Sequence, residues 1–96
     1  MIDAERLEPI PPGEHLWEDF MKPLQLTISQ LARDVDVPAN RISDIVHGKR
    51  KITADMALRL GKYFNTTAEV WLGLQLDYDL QLAKQSWVKV GMFRAD

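Results

Sequence analysis

This sequence predicts an all-α domain of five helices, and three observations carry that prediction. Apolar residues recur at helical spacing along most of the chain, as at Ile28, Leu31, Ala32 and Val35. Hydroxyl residues suited to N-capping (Thr27, Thr53 and Thr66) stand just ahead of these apolar faces. Two of the predicted helices meet at a break of only four residues, Val35-Asp36-Val37-Pro38.

The elements follow in order. Residues 1–12 hold Pro9, Pro11 and Pro12 and show no helical period, so they read as an extended acidic arm. Gly13 to Lys22 forms the first helix, with Leu16, Trp17 and Phe20 as its apolar face and Pro23 as its stop. Thr27 caps the second helix, and Gln30 three residues on completes a capping box. Pro38 keeps Val37 out of helix and can itself open the third, whose inner face is Ile42, Ile45 and Val46. Two helices joined so tightly must cross steeply, which is the geometry of a helix-turn-helix.

Thr53 caps a fourth helix with Met56, Ala57, Leu60 and Phe64 as its core stripe, ended by Asn65 or Thr66. Thr66 with Glu69 forms a second capping-box pattern before the fifth helix, Thr67 to about Gln85. That helix is apolar on two sides. Trp71, Leu74, Tyr78 and Leu82 make one stripe; Leu72, Leu76, Leu80 and Ala83 make another, roughly 100° around. One stripe closes the core. The other needs a cover, and homodimerisation through Leu72, Leu76, Leu80 and Ala83 is expected to supply it. The alternative cover is the tail, residues 86–96, folded back as a short strand or arm. The expected organisation is therefore arm 1–12, domain 13–85 and tail 86–96.

Ninety-six residues suffice for one domain with a modest core. A 46% hydrophobic and 27% charged composition is that of a folded globule. The chain has no cysteine, so disulfides and thiolate metal sites are excluded. Its N-terminus lacks a signal-peptide layout and no apolar run nears membrane-span length; a cytoplasmic protein without membrane contact is expected. The net charge is only −2, but it is unevenly spread. Residues 1–19 carry a local charge of −5, and residues 41–62 carry +4, centred on Lys49-Arg50-Lys51. Because phosphate contacts act within a Debye length of about 8 Å, the local cluster outweighs the sum.

A helix-turn-helix followed at once by cations points to double-stranded DNA. The first turns of the third helix would face base edges: Ala39, Asn40 and Arg41, then Ser43 and Asp44. Arg41 suits guanine and Asn40 suits adenine, each through two hydrogen bonds. Asp44 can accept from cytosine or orient Arg41, and Ala39 can meet a thymine methyl. Thr27, Ser29, His47, Lys49, Arg50 and Lys51 are the expected phosphate contacts, fixing register without reading sequence. A twofold DNA site also calls for a homodimer.

The spacing of Ala32, Val35, Val37, Ile42 and Ile45, with the Gly48-Lys49-Arg50 exit, resembles the phage-repressor-like (XRE/Cro) helix-turn-helix family. That resemblance implies a lambda-repressor-like fold. Asp36 departs from the pattern, standing where the family usually has glycine; the site needs positive φ, which aspartate tolerates better than most residues. A longer string narrows the match. Pro12-Gly13-Glu14-His15-Leu16, the run Arg41 to Arg50, the run Ile52 to Leu60, and Ala68-Glu69-Val70-Trp71-Leu72-Gly73-Leu74-Gln75 together resemble the HigA/VapI-type antitoxins. Gly73 and Val70 depart from that family, which often has a larger residue and an aromatic there. The resemblance implies repression of a toxin–antitoxin operon through palindromic operator DNA, and neutralisation of a small HigB-type ribonuclease toxin. The acidic arm then becomes a candidate cover for the basic ribonuclease surface. Two other readings remain: a free-standing repressor without a toxin, and a protein-interaction module that no longer binds DNA, favoured by the acidic pI and Asp36.

Enzymatic signatures do not emerge. His15 and His47 lack a partner set for zinc, Asp77 and Asp79 point to different sides of a helix, and no cofactor motif occurs. Trp17 and Trp71 fall on apolar faces and are expected in the core rather than stacked on bases.

Overall fold

A computed structural model describes residues 8–91. Its elements are α1, an α-helical turn Pro12–His15 continuing as a π-helix Leu16–Met21; α2, Ile28–Asp34; α3, Ala39–Val46; α4, Ala54–Phe64; and α5, Ala68–Lys89. Among the described residues there is no strand. The five expected helices are present, with three differences at their ends.

Helix α1 begins at Pro12, whose missing N–H costs nothing in a first turn, and both Pro12 and Gly13 are buried. The expected arm therefore joins the domain at its last residue, while its first seven residues lie outside the described part. The second half of α1 is π-helical, with Lys22 N–H donating to the Trp17 carbonyl at 2.8 Å. The wider turn carries Met21 into the core alongside Leu16, a buried position that the simple periodicity did not mark.

At the start of α5 the cap is Thr67, which accepts from the Val70 N–H at 3.3 Å; the expected Thr66–Glu69 box does not form. Thr66 has another task. Its hydroxyl accepts the Trp71 indole N–H at 2.8 Å, satisfying the polar edge of a fully buried tryptophan. At its other end, α5 runs to Lys89 rather than Gln85, so Trp87 and Val88 are helical and do not fold back. Residues 92–96 of the expected tail lie outside the described part. The capping box of Thr27 and Gln30 and the Thr53 cap are both present.

Helices α2 to α5 each close on a residue in the left-handed region, Asp36, Gly48, Asn65 and Gly91, and the turn after α1 has one at Gln25. At Asp36 the closure has two bonds, Val37 N–H to the Ala32 carbonyl at 2.9 Å and Asp36 N–H to Arg33 at 3.2 Å. At Gly48 the same pair recurs, Lys49 N–H to Asp44 at 2.8 Å and Gly48 N–H to Ile45 at 3.1 Å. These bonds satisfy helix carbonyls that would otherwise be orphaned and reverse the chain within two residues. The turn between α2 and α3 is thus a helix C-terminal closure followed directly by Pro38, the N-cap of α3.

The core lies between α2, α3, α4 and the first half of α5. Leu31, Ile42, Ile45, Met56, Leu60 and Trp71 are buried, with Phe20, Phe64 and Trp71 clustered at ring separations of 4.8–6.0 Å. The first stripe of α5 closes this core only at Trp71 and Leu74, which packs against it. Tyr78 is half-buried and Leu82 exposed, so the stripe runs out of partners halfway along. From Leu80 to Gly91 every residue is exposed, and this projecting half helps to make the molecule 45 Å long but only 26 × 23 Å across.

Candidate nucleic-acid interface

The orientation of α3 follows from its two faces. Ile42 and Ile45 are buried at 0% and 1% exposure and hold the helix to the core. Ala39 and Asn40 are therefore presented outward, with Arg41, Ser43 and Asp44 half-exposed beside them. Among the described residues, no other side chain holds Arg41 by a hydrogen bond or ion pair. Asp44 does not orient Arg41. Its carboxylate lies 3.8 Å from the Arg50 guanidinium, so it ties the end of the helix to the loop beyond.

His47 closes the same face. Its Nδ1 donates to the Ser43 carbonyl at 2.7 Å, with the Ser43 hydroxyl 3.4 Å away. That bond places the proton on Nδ1 and leaves Nε2 at the exposed edge. Of the three cations after Gly48, Arg50 faces Asp44, and Lys51 lies 3.9 Å from Asp79 on α5. Both pairs are long and solvated, so they are weak enough to yield to phosphate. Lys49 is exposed and has no carboxylate partner among the described residues.

The other phosphate candidates sit at the start of α2. Thr27 accepts from Gln30 N–H at 3.1 Å and its hydroxyl lies 3.3 Å from Gln30 Oε1, so its one proton is already engaged in the capping box. Ser29 is exposed and not so engaged. Its hydroxyl is the more available of the two.

Three supporting residues escaped the sequence reading. Arg59 Nη1 donates to the Val35 carbonyl at 2.7 Å and lies 3.4 Å from the Asp36 carbonyl, latching α4 onto the turn. Its Nε bonds Asp55 at 2.8 Å, and that bond, with the charge of Asp55, raises the guanidinium pKa above its ordinary value. Tyr63 donates to Asp34 at 2.8 Å, adding a second latch. Gln75, 8% exposed, accepts the Ile52 N–H at 2.8 Å and donates to Asp79 at 3.0 Å. The i,i+4 pairing of Asp55 with Arg59 was visible in sequence, but nothing local marks the partners of Tyr63 or Gln75.

On α5, Leu72, Leu76 and Leu80 are 37%, 58% and 48% exposed, and Ala83 is exposed beside them. Among the described residues nothing covers the second stripe. Among the described residues no cluster of side chains is arranged to hold a metal ion, and no helix is long and apolar enough to cross a membrane.

Residues 18–71 match the family described as helix-turn-helix. The chain is 47% identical over 76 residues to virulence-associated protein I of Dichelobacter nodosus, covering 79% of this chain and 70% of that one. Among solved structures, the antitoxin HigA of Pseudomonas aeruginosa with the higBA promoter superposes with a TM-score of 0.82 at 43% identity, covering 85% of this chain and 89% of that one. The antitoxin GraA in complex with its operator gives a TM-score of 0.80 at 35% identity, covering 100% of this chain and 97% of that one.

Proposed function

The chain belongs to the helix-turn-helix family, among relatives of the HigA and VapI type, and from that premise we propose that it is an antitoxin that represses its own toxin–antitoxin operon. It binds palindromic operator DNA as a homodimer and neutralises a small HigB-type ribonuclease toxin. The observation that carries the reading is the pairing of an outward Asn40–Arg41 turn with an exposed Lys49 on one side of a core-anchored α3. Solved relatives of the same fold with a promoter or an operator support it.

In this reading Ala39, Asn40, Arg41 and Ser43 meet base edges, and Asp44, released by Arg50, accepts from cytosine. Ser29, His47, Lys49, Arg50 and Lys51 meet phosphates, and Thr27 contributes chiefly by shaping the start of α2. Arg50 and Lys51 leave Asp44 and Asp79 for the backbone of the DNA. The dimer seam is Leu72, Leu76, Leu80 and Ala83, supported by the projection of an apolar half-helix beyond its own core. The acidic composition of the segment ahead of Pro12 is complementary in charge to a basic ribonuclease, which makes it a candidate for toxin contact.

The test is binding to the promoter upstream of the gene across a salt series. Several neutralised phosphates give a steep linear fall of log affinity with log salt, at roughly 0.9 per phosphate. A flat response, or equal affinity for every duplex, removes the repressor reading. Co-expression with the neighbouring gene product, followed by sizing, tests the antitoxin half; a protein that represses yet captures no neighbour is a free-standing repressor.

A further inference from the structure

The loop between α3 and α4, residues 47–53, carries the three cations but has little structure of its own beyond the closure at Gly48. It is held instead by a residue 23 positions later. Gln75 on α5 reaches under the loop, and its Oε1 accepts the N–H of buried Ile52 at 2.8 Å. Its Nε2 donates to Asp79 Oδ1 at 3.0 Å, and the other oxygen of that carboxylate lies 3.9 Å from Lys51 Nζ. Lys49, Arg50, Lys51, Gln75 and Asp79 line one groove between the loop and α5.

We propose that Gln75 is a positioning residue for DNA binding: through Ile52 it sets the height of the Lys49–Lys51 loop, and through Asp79 it sets where Lys51 rests when no phosphate is present. The proposal rests on the reading of that loop as a phosphate clamp. Three facts support it. A buried backbone N–H must find a partner, and among the described residues the Ile52 N–H finds it in this side chain, which ties the loop to α5. Among the described residues Gln75 is the one buried polar side chain, and both ends of its amide are engaged, which fixes its orientation. Asp79 serves two partners at once, so a phosphate that draws Lys51 away leaves the carboxylate with Gln75 and the Ile52 bond undisturbed. Because Gln75 stands one turn from Leu72 and beside Leu76, a displacement of α5 along its seam is transmitted directly to the clamp.

The experiment uses the full chain and its own promoter duplex, with hydrogen exchange measured in parallel. In Gln75→Leu the Ile52 amide is expected to exchange at least tenfold faster than in wild type. Promoter affinity is expected to fall about tenfold, with the salt slope reduced by about 0.9, the share of one phosphate. Preference for promoter over unrelated duplex is expected to persist, since α3 is untouched. Unchanged affinity and slope in a folded Gln75→Leu protein overturn the proposal. Should that variant not fold, the decision passes to Gln75→Glu, which keeps an acceptor for the Ile52 N–H but sets two carboxylates face to face, and to the double variant Gln75→Glu with Asp79→Asn, which restores the bond between positions 75 and 79 with its polarity reversed. Recovery of the slope in the double variant over Gln75→Glu supports the positioning role; no recovery defeats it. A wild type that shows no salt-dependent DNA binding removes the clamp reading, and is told apart from failure of the Gln75 contact by the Ile52 exchange rate.

Discussion

Gly13 and Ile45 approach so closely that a Cβ on Gly13 would stand 1.7 Å from the Ile45 carbonyl oxygen. The first turn of α1 is thereby seated on the last turn of α3, just before the Gly48 closure. Gly13→Ala must push these backbones apart. A loss of about 1–3 kcal/mol or more is expected, as for other overpacked cores. For a domain of this size that is a fall in Tm of at least about 4 °C, readable by thermal unfolding. An unchanged Tm would show that the contact is easily relaxed.

Arg41 and Lys49 should separate reading from clamping. Arg41→Ala is expected to cost about 1–3 kcal/mol on the preferred operator and little on mismatched sites, so specificity relaxes. Lys49→Ala should weaken all duplexes alike and reduce the salt slope by about 0.9. Competition binding with operator and scrambled duplexes measures both; a uniform loss in Arg41→Ala argues against α3 as the reading helix.

Asp36 holds a left-handed conformation with φ of 61° in the turn before α3. Glycine adopts it without a Cβ penalty but gains freedom in the unfolded chain, so Asp36→Gly should change stability by no more than about 1 kcal/mol. It also removes a negative charge from the turn that leads into α3, the helix proposed to read DNA. Tighter operator binding at low salt is therefore expected, and the gain should vanish as salt rises.

Leu76 and Leu80 lie on the uncovered stripe of α5, where a charge disturbs no contact within the core. Leu76→Asp with Leu80→Asp should leave the helical circular dichroism intact and shift the species from dimer to monomer by sedimentation. Operator affinity should fall with it. A double variant that remains dimeric places the seam elsewhere.

Tyr63 ties α4 to α2 through Asp34. Its hydroxyl pKa is raised above 10.0, first by that hydrogen bond, then by burial and by the Asp34 charge. A group whose folded pKa is raised stabilises fully below its unfolded pKa and loses that contribution as pH climbs through the folded value. Wild type should therefore lose stability above about pH 10, and Tyr63→Phe should be less stable at neutral pH and flatter across that range. Parallel alkaline limbs in the two proteins would deny Tyr63 the role.

Much of the fold was legible because its signals are local. The Thr27–Gln30 box, the Thr53 cap, the Pro38 start and the left-handed Asp36 each act within one helical turn, where sequence spacing and spatial distance coincide. Thr66 shows where this stops. Its pattern with Glu69 is a good capping box, yet the buried indole of Trp71 needed an acceptor, and the cap moved to Thr67. The site divided in the same way. The outward face of α3 could be read from Ile42 and Ile45, whereas the carboxylates that hold Arg50 and Lys51 could not.

From its sequence alone this chain determined five helices, the turn that joins α2 to α3, the face of α3 turned to solvent and the family to which it belongs. Only the tertiary structure decided that Gly13 must seat against Ile45, that Arg59 and Tyr63 latch α4 to the turn, that Gln75 supports the cationic loop, and that α5 outruns its core. The first set depends on contacts within about four residues, which helix geometry brings together whatever the rest of the chain does. The second depends on groups 23 to 32 positions apart, whose hydrogen bonds and close approaches exist only once the core has packed.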